Sequence, residues 1–191
     1  SFFQLPFTPF IPTAEGRKDL IGKLKMQSHR RKVIRELELL VIDEISMVRA
    51  DLLDAVDTLL RHIRYRNNEP FGGVQMIFIG DMYQLSPVAQ AEEWRLLSPY
   101  YEGIYFFHSR VMQQKPPVYI EFDKIFRQKD MSFITLLSEI RNNTLSPAGL
   151  AMLQSRYNPL FVPPKDDTYI ILTTHNYKAD RINAEELAAL K

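Results

Sequence analysis

Residues 39-LLVIDEISMV-48 form an apolar run that stops at two adjacent carboxylates, Asp43 and Glu44. An unbroken apolar run of this length predicts a buried strand over 38–42 that delivers acid groups to a sheet's edge. A short helix capped by Ser28 and running to Leu37 is expected before it. After it, 51-DLLDAVDTLLRHIRY-65 places Leu52, Leu53, Val56, Leu59, Leu60 and Ile63 at helical spacing, which predicts a helix with one inward face. The breaker run 67-NNEPFGG-73 ends that helix, and 74-VQMIFIGD-81 predicts a second buried strand closing on Gly80 and Asp81. Strand, amphipathic helix, strand is a βαβ unit, whose parallel strands have their carboxyl ends on the same side. Ligands of open α/β sheets lie outside those ends, so Asp43, Glu44, Asp81 and Gln84 are expected to share one cleft.

The bulk properties set limits. A chain of 191 residues fits one domain, or one domain with part of a second, and 46% hydrophobic with 25% charged residues excludes a disordered chain. The apolar runs are too short to span a bilayer. With no cysteine, disulfides, thiolate catalysis and cysteine-bound zinc are all excluded. The opening SFFQLPFTPFIPT is broken by three prolines and has no basic leader, so it does not read as a signal peptide; a cytoplasmic, intracellular protein cut open at an interior segment is expected. The net charge of +1 averages out two basic clusters, 29-HRRKVIR-35 and 61-RHIRYR-66. Each is either a surface for a phosphate backbone or a solvated helix face.

Further along, 89–107 reads as a mixed, loop-like insertion and 117-PVYIEF-122 as a strand. Asp130 is expected to cap a helix with Phe133, Ile134, Leu137 and Ile140 as its stripe, and Ser146 with Pro147 marks another helix start. The run 158-NPLFVPPKDDT-168 reads as a linker before a strand at 169–175 and a helix from Asn176 to Leu190.

Phosphoryl transfer from a nucleoside triphosphate needs a divalent ion, a group that orients water, and positive charge at the transferred oxygens. Asp43 would hold magnesium, mostly through water, and Glu44 would polarise the attacking water. An acid pair after a strand also occurs where it merely precedes a helix, with Ser46 or Asp51 as the cap. Gln84, three residues after Asp81, can bond both a phosphate oxygen and a water. The plainer alternative is a strand-to-loop turn punctuated by Gly80 and Pro87.

The combination of VIDEIS at 41–46, FGGVQMIFIGDMYQLSPV at 71–88 and FRQKD at 126–130 resembles the Pif and RecD-like branch of superfamily-one DNA helicases. The resemblance implies an α/β fold: a truncated P-loop NTPase (RecA-like) domain with a largely parallel sheet flanked by helices. It implies that Asp43 and Glu44 are Walker B acids, Gln84 a γ-phosphate sensor and Arg127 an arginine finger, with ATP and Mg2+ as cofactors. A planar, permanently charged guanidinium suits a phosphoryl transition state.

The same resemblance implies single-stranded DNA and duplex junctions as partners. Ser1 and Phe2 match the tail of a motif that touches single strands, where aromatic stacking would act, although Phe2 and Phe3 also suit a core. Pro87, Thr174, His175 and Asn176 are the other nucleic-acid candidates. The expected organisation is a RecA-like domain over 1–160, with a small wedge-like insertion at 89–107, then a linker and the start of a second such domain over 161–191. The expected activity of the intact enzyme is ATP-driven translocation and unwinding, mostly 5′ to 3′, in DNA repair, recombination or replication. A glycine-rich phosphate loop is absent from the 191 residues, so this piece alone is expected to hydrolyse no ATP. The rivals are another P-loop motor, which lacks the FRQ element, and a catalytically inactive nucleic-acid-binding module.

Overall fold

The computed structural model describes residues 2–6, 8–162, 164 and 169–189, with the side chain of Ala189 left out. The chain divides into two compact units, Ser1–Lys124 and Ile125–Lys191, and the expected boundary at 160/161 falls inside the second.

In the first unit, helices α1 (Ala14–Gly22) and α2 (Ser28–Glu36) precede strand β1 (Leu39–Ile42). Helix α3 (Ala50–Arg64) then crosses over to strand β2 (Gln75–Phe78). The two strands pair in parallel, Leu39 opposite Gln75 through Ile42 opposite Phe78, which is the βαβ unit the sequence predicts. They are buried on one face only, contrary to the expectation of fully buried strands. Leu40, Ile42, Met76 and Phe78 pack on the core, whereas Leu39, Val41 and Ile77 alternate to an exposed face. Among the described residues the sheet has two strands, and the period-two pleat decides which of their side chains stay wet.

Helix α3 is the centre of the unit. Leu53, Val56, Leu59, Leu60 and Ile63 are buried with Ile34, Phe71, Val74 and Val111. Its other face is not solvated, as an amphipathic pattern would suggest. Asp51, Asp54 and Asp57, spaced by three residues, are also buried. Each holds a different loop by accepting its backbone amides. Asp51 accepts from Phe10 N at 3.0 Å, Asp54 from Arg110 N and Val111 N at 3.0 Å, and Asp57 from Phe71 N at 2.6 Å. Their remaining oxygens are also used: Arg49 donates to Asp51, the Tyr101 hydroxyl to Asp54 and Arg61 to Asp57. Buried carboxylates survive when paired and hydrogen-bonded in this way. Burial nevertheless raises the Asp54 carboxyl above its ordinary value, and burial beside Asp54 raises the Tyr101 phenol.

The basic run 61–66 is absorbed by architecture. Arg64 donates to the carbonyls of Ile34, Arg35, Leu37 and Gly72, closing the carboxyl end of α2, and Arg61 pairs with Asp57. Neither Ser46 nor Asp51 caps α3; Arg49 occupies the cap position with no side-chain cap bond, since a guanidinium has no acceptor for helix amides, and it donates instead to Asp51 and Glu93.

The region 89–107 is more ordered than a loop. Helix α4 (Ala91–Leu97) carries a capping box in which Gln90 and Glu93 bond reciprocally, and Leu97 and Tyr101 pack on Ala50. A short helix α5 (Arg110–Gln114) is capped by Ser109. The strand expected at 117–122 does not form: Val118, Tyr119, Ile120 and Phe122 are coil and 74–90% exposed. A strand exists only with a neighbour to share its ladder, and among the described residues none pairs with this segment.

In the second unit, α6 (Met131–Arg141) is capped by Asp130 and α7 (Pro147–Ser155) by Ser146, both as the sequence predicts. The buried apolar side chain of α6 is Leu136, not the expected stripe; Phe133, Leu137 and Ile140 remain exposed. The Glu139 carboxylate joins the two helices by accepting from Ser146 N and Oγ. Residues 169–175 are coil rather than strand and lead into α8 (Asn176–Ala189). Within the expected linker, Pro163 and residues 165–168 lie outside the described residues. No helix among the described residues is long and apolar enough to cross a membrane.

Candidate functional site

The acid pair sits where β1 gives way to a tight turn and a 3-10 helix over Ile45–Met47. Asp43 Oδ1 accepts from Glu44 N at 2.9 Å, and this bond to the next amide forces the chain to turn at once. Glu44 takes up that turn with φ 52° and ψ 41°, the left-handed region. For a residue with a β-carbon this costs about 1–2 kcal/mol. Strain of this kind persists where surrounding structure fixes it, and such positions cluster at active sites. Here Ile45 N donates to Ile79 O at 3.0 Å and Ile79 N to Ile42 O at 2.9 Å, so the ends of both strands are stitched together.

Gly80 completes the junction. A β-carbon there would lie 2.9 Å from Ile45 Cγ2 and 3.2 Å from Ser46 N, so only glycine allows the second strand's end to reach the acid turn. Beyond it, Asp81 accepts from Tyr83 N at 3.0 Å and from the Gln84 side-chain amide at 3.3 Å. Asp43, Glu44 and Gln84 are exposed and Asp81 partly so, which leaves their side chains open to a ligand at the carboxyl ends of the strands.

The donor set fits magnesium bound to phosphate. Asp43 offers a hard carboxylate oxygen, and no group of three or more His, Cys, Asp or Glu side chains capable of holding a metal occurs among the described residues. An ion that keeps most of its water and takes phosphate oxygens needs no larger protein cage. Ser46 Oγ, buried in the same turn, is a polar side-chain atom with no hydrogen-bond partner. Leaving a buried hydroxyl unpaired costs roughly 1–3 kcal/mol. The sequence singled out Ser46 only as a helix cap, and burial alone reveals the orphaned hydroxyl.

The other site candidates are placed as follows. Arg127 is in the second unit and exposed, followed by a turn in which the Gln128 side chain accepts from the amides of Lys129 and Asp130. Thr174 and His175 are exposed and joined by a 2.8 Å contact between Thr174 Oγ1 and His175 Nδ1, just before Asn176 opens α8. Phe2 is 42% exposed and meets Phe3 edge-on, with ring centroids 5.0 Å apart, while Phe3 is in the core. Ser1 lies outside the described residues. Pro87 is buried.

Known proteins share this sequence and geometry. The family described as PIF1-like helicase matches residues 7–146. The ATP-dependent DNA helicase PIF1 of Saccharomyces cerevisiae is 33% identical over 181 residues, 92% of this chain and 20% of the yeast protein. The human ATP-dependent DNA helicase PIF1 is 39% identical over 116 residues, 61% of this chain and 17% of its own length. The chain therefore spans about a fifth of these relatives. The crystal structure of a Pif1 helicase from Bacteroides in complex with ADP-AlF3 and ssDNA superposes with a TM-score of 0.87 at 36% identity, covering all of this chain and 43% of that one. The chain belongs to the PIF1-like helicase family.

Proposed function

We propose that this chain is the acid-bearing part of an ATP-dependent DNA helicase, an intracellular enzyme that couples hydrolysis to movement on single-stranded DNA and to opening of duplex junctions. The observation that carries the reading is the exposed acid pair just past the carboxyl end of β1, where the Glu44 turn meets Gly80 just past the end of β2. The Bacteroides relative, described with ADP-AlF3 and ssDNA, supports the same ligands for this family member.

In the reaction, Asp43 would hold Mg2+ and Glu44 would accept a proton from the attacking water. When bound, Mg2+ supplies charge neutralisation on the phosphate oxygens. The Gln84 amide, which donates to Asp81 at 3.3 Å, is the group that would bond a phosphate oxygen or the water. Arg127 provides permanent positive charge for the transferred phosphoryl group. Phe2, Thr174, His175 and Asn176 face DNA in this scheme, with stacking and hydrogen bonding as their contributions. The test is Glu44→Gln in the intact protein: ATP binding is kept and DNA-stimulated turnover falls by at least a hundredfold, the lower end of general-base effects. Turnover at the wild-type rate would remove Glu44 from the mechanism.

A further inference from the structure

The two basic clusters of the sequence part company in the structure. Arg61 and Arg64 are consumed by Asp57 and by four backbone carbonyls, but the cluster on α2 is not. Residues 23–36 hold six lysines and arginines against a single glutamate, while the rest of the chain is net negative. Lys23 is paired with Asp19, Lys32 stands 4.0 Å from Glu36, and Arg35 is turned to Ile63 O and the Tyr65 hydroxyl. The side chains of Lys25, His29, Arg30 and Arg31 have no partner among the described residues. Of these, Lys25, His29 and Arg31 are exposed and Arg30 is half-exposed.

This arrangement works against the helix. The first turn of α2 has no acid, and its cations face the positive end of the helix dipole, where each such charge is unfavourable by up to about 1 kcal/mol. A merely solvated face would tolerate acids in that turn and gain from them. A bound polyanion removes the mutual repulsion of the cations and the conflict with the dipole at once.

We propose that α2 and the preceding Lys23 and Lys25 form a second contact surface for the phosphate backbone of DNA, separate from the candidates at Phe2 and Thr174–Asn176. The surface is open helix rather than a pocket, so it fits a polymer better than a small anion. Nine helical residues extend about 14 Å, and duplex DNA presents one charge per roughly 1.7 Å. Several phosphates can therefore be met at once. α2 leads into the amino end of β1, whereas Asp43 and Glu44 follow its carboxyl end, so this contact is made away from the hydrolytic turn. The inference rests on the helicase reading.

The experiment measures binding of fluorescent single-stranded and duplex oligonucleotides to the intact protein and to its K25Q/R30Q/R31Q variant across a salt series. Three lost phosphate contacts should flatten the dependence of log K on log salt by about 2 on single strands and by nearly 3 on duplex. Basal ATP turnover without DNA should be unchanged, and the K25R/R30K/R31K variant should behave as wild type. An unchanged slope and affinity in the glutamine variant overturn the proposal while leaving the helicase reading intact. Failure of the wild-type protein to bind either DNA sinks both. Competition by polyglutamate that depends on these three residues, with DNA binding unaffected, overturns it in favour of an acidic protein partner.

Discussion

Gly80 lies so close to Ile45 that a β-carbon on it would stand 2.9 Å from Ile45 Cγ2 and 3.1 Å from Ile45 N. The acid turn and the loop carrying Gln84 therefore share a joint with no room for a side chain. Gly80→Ala is expected to separate the two, lowering ATP turnover of the intact protein more than its stability. The stability loss should be about 1–3 kcal/mol, as for other overpacked sites. Paired turnover and thermal-melting measurements check this, and a variant with full turnover would show that the joint is dispensable.

Asp51 is 1% exposed and accepts from both Arg49 and the amide of Phe10. Asp51→Ala leaves the Arg49 guanidinium buried with only Glu93 as partner, and burial with one partner removed costs about 3–5 kcal/mol. A guanidinium does not lose its proton in proteins, so Arg49 stays charged in that variant. Urea unfolding should show the double variant R49M/D51L to be more stable than D51A alone.

Leu60 is fully buried, whereas Val41 is 48% exposed on the uncovered face of β1. In the 191-residue chain, Leu60→Ala should cost roughly 2–5 kcal/mol, and Val41→Ala about 0.5 kcal/mol or less. Equal losses in chemical denaturation would mean that the outer sheet face is packed as the inner one is.

Acid should act on two groups in opposite senses. Glu93 lies below its usual 4.5 because the Gln90 amide and then Arg49 bond its charged form. Its contribution is complete above 4.5 and is lost as pH falls through the lower folded value. Asp54 lies above its usual 3.8 through burial, so its contribution is complete below 3.8 and declines as pH rises through the raised folded value. Glu93→Gln should flatten the acid limb of a plot of melting temperature against pH below 4.5, and Asp54→Asn should flatten the change just above 3.8.

The 191 residues contain no glycine-rich loop to supply amides and a lysine to the triphosphate. The purified 191-residue chain is expected to show no ATP hydrolysis above background, with or without DNA. Phosphate release stimulated by single-stranded DNA would overturn this.

Much of the local geometry around the acid pair was legible in the sequence, because it depends on neighbours in the chain. Asp43 and Glu44 end an apolar run, Gly80 and Asp81 end another, and the helix between them forces the strands to be parallel. Asp130 and Ser146 reveal themselves as caps for the same reason: a cap acts on amides two or three residues away. The burial of Pro87 was not legible, because a proline in a loop carries no mark of it.

The sequence by itself determined the βαβ unit, the acid pair, the helix starts at Asp130 and Ser146, and the family. These follow from periodicity and from local bonding, which a linear string records. Only the tertiary structure decided that Asp51, Asp54 and Asp57 are buried anchors for three loops, since their partners Phe10, Arg110, Val111 and Phe71 lie 14 to 57 residues away. It also decided that Glu44 is left-handed, that β1 and β2 keep one face exposed, and that 117–122 and 169–175 remain unpaired. A strand's burial and pairing depend on which distant segment comes to lie beside it, and that information is absent from any short stretch of chain.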